Sequence, residues 1–428
     1  MKPSGRAAAA IDILQAITGR HQPAACALRD WGRAHRFAGS RDRAAIGDLV
    51  HEALRRAASL AWRMDDDSPR ALILALLAFA RDTPLADIAA MGDEPYGFGP
   101  LSTAEKQALA MPRPLDDAPD WVRGDIPQWL QSHFLDAFGD AAAAHGQALA
   151  RRAPVDVRVN ALKGDRAKAR KALARFHPLD TPYSPLGLRF APGPDGRLPK
   201  VTAESAHGRG LIEVQDEGSQ IAALLCSARP GEQVLDLCAG AGGKTLALAA
   251  RMQNRGQIHA HDADRHRLRP IHERIRRAGV RNAQIIAPHQ AGKLDGLRGR
   301  MDLVLVDAPC SGSGTWRRRP DAKWRLSKSA LDARVKAQRD LLRQAAAFVK
   351  PGGRLVYVTC SVLPMENDAQ ASAFLAEQEA FSLLDWRDQA AALTSQPQAA
   401  QDSKTLRLTP LEHGTDGFFI AIMGRSQA

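Results

Sequence analysis

From Gly231 onward the chain alternates between two hydrophobic periods. Short apolar runs stand at Val234–Leu237, Gln257–His261, Ala283–Ile286, Leu303–Val306 and Arg354–Val358. Their length and their glycine or charged boundaries predict strands. Between them, Arg265–Ala278, Leu331–Val349 and the alanine- and leucine-rich stretch after Lys244 carry apolar residues at helical spacing. Strands and helices in strict alternation predict a doubly wound α/β sheet. Gly417–Ile422 reads as one further strand.

The first part of the chain has the helical period alone. Ala8–Thr18 and Arg41–Trp62 predict helices, with Ser40 as N-cap of the second, and Asp66-Asp67-Ser68-Pro69 predicts a helix start ahead of Ala71–Ala80. Glu94–Pro119 is rich in proline and glycine and reads as a connector. Asp120–Ala150 returns to helices, Val155–Asn160 alternates like a half-buried strand, Arg166–Phe176 is a basic helix, and Pro192–Lys200 is a loop. A chain of 428 residues exceeds what one core usually serves. The expected division is a helical domain at 1–115, a small α+β subdomain at 120–205 and the alternating domain at 206–428.

Composition changes this picture in two ways. A formal charge of +12 favours a polyanionic partner, since clustered lysine and arginine release counterions on meeting phosphates. The five cysteines, Cys26, Cys226, Cys238, Cys310 and Cys360, form no C-x-x-C pair and no zinc-ligand spacing with histidine. Neither a disulfide framework nor a metal is expected, and a reducing cytoplasm fits. Asp12 interrupts the apolar run Ala7–Leu14, so a signal peptide is not indicated. Ala71–Ala80 is far shorter than the roughly 18 residues that suggest a membrane span.

The candidate chemistry lies where predicted strands end. Asp307-Ala308-Pro309-Cys310-Ser311-Gly312 and Val358-Thr359-Cys360-Ser361 each place a thiol just beyond an apolar run. In an open parallel sheet those ends form the ligand crevice. Asp236-Leu237-Cys238-Ala239-Gly240-Ala241-Gly242-Gly243-Lys244-Thr245 runs from a strand through a glycine-rich turn into a helix, where bare backbone amides can approach an anionic ligand group. Asp262 ends the next strand, where a carboxylate can accept hydrogen bonds from ribose hydroxyls. A dinucleotide dehydrogenase would share both features, but G-A-G-G departs from G-x-G-x-x-G. A lone buried cysteine is usually inert packing; two at neighbouring strand ends point to nucleophilic chemistry beside a bound donor.

These three segments resemble those of the RsmB/Nop-type RNA (cytosine-5) methyltransferases. Arg158-Val159-Asn160-Ala161-Leu162-Lys163 is similar to the family's R-V-N-x-L-K strand, and Asp42–Arg56 is similar to the central helix of a NusB-like domain. The resemblance implies a class I methyltransferase (Rossmann-like) catalytic domain, preceded by a small α+β subdomain and an all-α NusB-like N-terminal domain. It implies S-adenosyl-L-methionine as cofactor, held by Cys238, Ala239, Gly240, Ala241, Gly242, Gly243, Lys244, Asp262 and Asp307. Cys360 is then the nucleophile, Cys310 assists proton removal or product release, and Asp307 holds the cytosine edge. Pro309-Cys310 also resembles the nucleophile motif of DNA cytosine-5 methyltransferases; the second cysteine motif favours RNA. The expected substrate is 16S rRNA, with tRNA or a catalytically silent RNA-binding assembly factor as alternatives, and the expected protein is a monomer. Two departures from the family pattern stand out. Gly240-Ala241 replaces Ala-Pro in the turn, and Pro288-His289-Gln290 replaces an aspartate expected to meet the adenine. The loop Thr315–Trp324, with four cations and two indoles, reads either as a phosphate-binding and base-stacking element or as an ordinary solvated loop with core tryptophans.

Overall fold

A computed structural model describes residues 1–193, 198–400 and 402–427, so the loop expected at Pro192–Lys200 lies partly outside the described residues. Packing divides the chain into two units, Met1–Arg152 with Thr315–Ser327, and Ala153–Gly314 with Lys328–Ala428.

The second unit holds both sheets. The smaller is antiparallel, built from β1 (Val155–Val159), β2 (Leu179–Asp180), β3 (Gly187–Phe190) and β4 (Ile212–Val214) in the order β2-β3-β1-β4. Val157, Val159, Leu188, Phe190 and Ile212 fill its core. The larger contains β5 (Gln233–Asp236), β6 (Gln257–His261), β7 (Ala283–Ile286), β8 (Met301–Asp307), β9 (Val349–Thr359), β10 (Phe381–Leu384), β11 (Leu406–Leu408) and β12 (Phe418–Arg425). Its order is β10-β12-β9-β8-β5-β6-β7, with β11 paired to β12. Strands β5 to β9 run parallel, and β12 closes antiparallel against β9.

Alternate residues explain why these strands read as continuous apolar runs. Val234, Leu303, Leu305, Val356 and Val358 pack on one face; Leu235, Val304, Val306, Leu355 and Tyr357 pack on the other. Helices cover both faces, so neither side chain set meets water. Each such burial contributes about 1.5–3 kcal/mol, which pins the register and with it the carboxyl edge of the sheet. Chain order reverses between β5 and β8, the position at which such sheets open a ligand crevice.

The helical unit differs from expectation in several places. Helices span Pro3–Arg20, Ala24–Ala34, Ser40–Arg55, Ala57–Met64 and Pro69–Ala80. Ser68 caps the last, accepting from the Ala71 amide at 3.2 Å as its Ser-Pro start predicts. Ser40 is not a cap: Gly39 holds that position without a side-chain bond, and the expected single helix breaks at Arg56. The Glu94–Pro119 connector contains a helix, Thr103–Ala110, started by a reciprocal capping box between Ser102 and Glu105. The Asp120–Ala150 helices pack with this unit.

Thr315–Ser327 completes the core of the helical unit, in keeping with core tryptophans rather than with a phosphate-binding and base-stacking loop. Trp316 is buried and stacks on Phe134 with centroids 6.0 Å apart. The Lys323 ammonium is buried and donates to the carbonyls of Arg55, at 2.9 Å, and Asp125. Burial lowers its pKa to about 8, against the pull of Asp125. Trp324 Nε1 donates to the Leu54 carbonyl at 2.6 Å, and Arg317 is buried as well. Arg55 has a pKa of about 10, lowered first by burial, and its Nε donates to the Arg317 carbonyl. Of this segment's cations, only Arg319 and Arg325 are exposed.

Candidate active site

The glycine turn is shaped by two backbone demands. Gly240 and Gly242 have φ of 51° and 82°, where a side chain is strained. A Cβ on Gly242 would lie 2.5 Å from Ile271 Cγ1, so the helix Ile271–Ala278 packs directly on the turn. Gly240 faces a different neighbour: a Cβ there would stand 3.8 Å from Asp262 Oδ2. The buried Asp262 carboxylate accepts from the amides of Gly240 and Asp264, both at 2.9 Å. It therefore ties the turn after β5 to the end of β6. Below the turn, Asp236 accepts from Thr245 Oγ1 at 2.7 Å, while its Oδ1 is buried without a partner. Burial raises the Asp236 pKa to about 7; Thr245 opposes this and Asp307 adds to it.

Lys244 links the turn to the end of β8. Its Nζ donates to Asp307 Oδ2 at 2.7 Å and lies 5.3 Å from the Phe418 ring centroid. Burial works against the ammonium, but Asp307 outweighs it and, with Cys360 and Asp236 adding, holds the Lys244 pKa above the ordinary lysine value.

Register brings the two thiols together. Asp307 pairs with Val358, so the chains beyond β8 and β9 leave the sheet at the same level. Cys310 Sγ and Cys360 Sγ stand 3.4 Å apart. The hydrogen bond with Cys360 holds the Cys310 thiol well above its ordinary pKa, and burial reinforces this. Either sulfur can be the donor in this contact.

Residues not singled out from the sequence as site residues fix both cysteine loops. Glu366 is fully buried and accepts from the Ser311 amide at 2.7 Å, from Ser311 Oγ and from Gln338 Nε2 at 3.0 Å. Gln338 Nε2 also reaches the Pro309 carbonyl at 3.0 Å. Asn367 accepts from Thr359 Oγ1 at 2.6 Å and donates to the Ser361 carbonyl at 2.9 Å. The Glu366-Asn367 pair just after the second cysteine motif is a readable signal, because an acidic and an amide residue there follow directly on an apolar run. Gln338 lies within a basic helix and carries no such signal. Cys226 and Cys238 are buried and their thiols are pushed up by burial, which makes them inert. His289 is exposed at a hollow of about 370 Å³ that Arg265, His266 and Arg269 also line.

Residues 223–424 match the family model described as 16S rRNA methyltransferase RsmB/F, and residues 126–191 match one described as Methyltr_RsmF/B-like, ferredoxin-like domain. The ribosomal RNA small subunit methyltransferase B of Sodalis glossinidius is 35% identical over 318 residues, which cover 71% of this chain and 67% of that protein. The chain belongs to the RsmB/F methyltransferase family. The match to this relative spans about two thirds of its length. Among solved structures, a methyltransferase homolog protein from Pyrococcus horikoshii is 29% identical with a TM-score of 0.60, covering 72% of this chain and 97% of that one. The structure of PH0851 shares the fold over 99% of both chains, with a TM-score of 0.76 and 24% identity. Members of the RsmB/F family use S-adenosyl-L-methionine as cofactor. Among the described residues, no helix is long and apolar enough to cross a membrane.

The residues present fit that cofactor. Gly240, at φ 51°, packs against Arg267 and Asp262, which a Cβ there would meet at 3.6 and 3.8 Å. Asp262 spends one lone pair of each oxygen on a backbone amide, which leaves further acceptor capacity for two hydroxyls. The unpartnered Asp236 oxygen near the turn suits a ligand that brings a donor. Cys238, Ala239, Ala241 and Gly243 supply the turn's backbone, and Lys244 faces Asp307 rather than the turn.

Proposed function

We propose that this protein methylates carbon 5 of a cytosine in 16S rRNA through a covalent adduct with Cys360. The observation that carries this reading is the pair of thiols 3.4 Å apart at the ends of adjacent parallel strands, next to the Lys244–Asp307 ion pair. S-adenosyl-L-methionine, when bound, supplies an electrophilic methyl group. Carbon 5 of cytosine is a poor nucleophile, and the Cys360 thiolate corrects this by adding to carbon 6, which makes the ring an enamine. After carbon 5 has taken the methyl group, its proton passes to solvent and its bonding pair re-forms the 5,6 double bond. The carbon 6–sulfur bond breaks in the same elimination and returns its pair to Cys360.

A free thiol with pKa about 8.5 is only about 3% thiolate at pH 7. The Lys244 ammonium, paired with Asp307, is also coupled electrostatically to Cys360. Cys310, whose sulfur stands 3.4 Å from that of Cys360, is placed to donate to it as the adduct resolves. Asp307, fixed by Lys244, holds the cytosine edge. The glycine turn and Asp262 hold the cofactor, and the helical unit acts as a NusB-like RNA-binding module. The relative's name supports small-subunit rRNA as the substrate. Bisulfite sequencing of 16S rRNA and tRNA from cells lacking the protein tests the reading. One protected cytosine in 16S rRNA should disappear and return with the wild-type gene but not with Cys360→Ala. An unchanged 16S pattern with a lost tRNA site would contradict the substrate, and no lost site would contradict the reaction.

A further inference from the structure

The segment that follows Asp262 carries more positive charge than holding the cofactor requires. Arg265–Leu268 and Ile271–Ala278 are two short helices, and the intervening Arg269 and Pro270 keep helical backbone angles. Leu268, Ile271, Ile275 and Ala278 form the apolar side, with Ile271 seated on the glycine turn. Arg265, Arg269, His272 and Arg276 recur at helical intervals of four, three and four, so they share another face, and all four are exposed. Arg265 and Arg269 lie about 6 Å apart along the axis, and Arg269 and Arg276 about 10 Å. Those spacings are close to one and two steps between phosphates on an RNA strand.

The arginines of this face have no internal use. Arg265, Arg269 and Arg276 make no ion pair among the described residues, whereas their neighbours Arg274 and Arg277 are both bound to Glu213. Of the acidic side chains nearby, Asp264 accepts from the His266 and Arg267 amides, and Glu273 lies 3.9 Å from Arg277. A hollow of about 630 Å³ opens between His266, Arg269, His272, Glu273 and Arg276.

We propose that this face is a docking surface for the phosphate backbone of the RNA substrate, with Arg265, Arg269 and Arg276 as its contacts. The proposal rests on the RNA reading above and extends it to a named surface. The test is binding of full-length protein to a 16S rRNA transcript over a range of salt concentrations. Three proteins are compared: wild type, Arg265→Glu/Arg269→Glu/Arg276→Glu, and a control with the same charge change, Lys336→Glu/Arg339→Glu/Arg343→Glu, on the helix Lys328–Ala346. The first triple variant should lose roughly 2 from the slope of log affinity against log salt, at about 0.7 per phosphate on single strands. The control should lose much less, and both should bind S-adenosyl-L-methionine as wild type does. An unmoved slope, or an equal loss in the control, overturns the surface. Methylation of the same transcript by wild type is read in parallel, so a failed surface with retained activity is distinguished from a failed substrate assignment.

Discussion

Replacing Asp262 by alanine should separate cofactor binding from folding. The carboxylate is buried and already bonded to two backbone amides. Two ribose hydroxyls would add charge-assisted bonds worth about 1.5–3 kcal/mol each before water compensates. A net loss of about 2–4 kcal/mol corresponds to a roughly 30- to 700-fold weaker affinity. The variant also strands the buried Gly240 amide, while the exposed Asp264 amide can turn to water, so about 1–3 kcal/mol of stability should be lost and the fold kept. Calorimetry with S-adenosyl-L-methionine measures the first effect and a denaturant melt the second. A cofactor analogue lacking the ribose 2′-hydroxyl gives a sharper check. It should bind wild type several-fold more weakly than the parent compound and bind Asp262→Ala no worse than the parent does. A folded Asp262→Ala variant with affinity within twofold of wild type would remove Asp262 from the cofactor site.

Asp236→Asn should change the pH dependence of stability. With its folded pKa raised from 3.8 to about 7, Asp236 is held neutral, so its burial cost is absent below pH 4, grows between pH 4 and 7 and is complete above. Without cofactor the variant should therefore gain on wild type as pH rises, by up to roughly 4 kcal/mol at pH 8; parallel melts at pH 4.5 and 8 would refute this if the difference stayed constant. Trp316→Ala should lower the stability of the helical unit by about 3–5 kcal/mol, and a variant as stable as wild type would return that indole to a surface role. Glu366→Ala should unfasten Ser311 and Gln338, cutting methyl transfer at least tenfold while S-adenosyl-L-methionine still binds; full activity would show that the cysteine loops stand without it.

The sheet was legible because its strands are buried on both faces and write themselves as unbroken apolar runs between glycine turns. The thiols were legible for the same reason, since each follows directly on such a run. Their 3.4 Å separation was not, because register between β8 and β9 is a property of pairing and leaves no local mark. The composition of the Thr315–Trp324 loop does not decide its role. Cations beside indoles describe a stacking surface and a buried lysine donating to carbonyls equally well, and the choice lies with helices far away in sequence, at Leu54, Arg55 and Phe134. The helix break at Arg56 has the same origin: the periodicity runs through Trp62, but the packing of the helical unit does not.

The roles of the two thiols are the centre of the account, and one denaturing gel tests them. Wild type, Cys310→Ala and Cys360→Ala are each incubated with a 16S rRNA transcript and S-adenosyl-L-methionine. If Cys360 attacks carbon 6 and Cys310 assists its departure, Cys310→Ala should methylate once and remain attached to the RNA as a slow band. Cys360→Ala should give neither band nor product. A band from Cys360→Ala would mean that Cys310 is the nucleophile, and methylation by Cys360→Ala without a band would contradict the covalent route altogether.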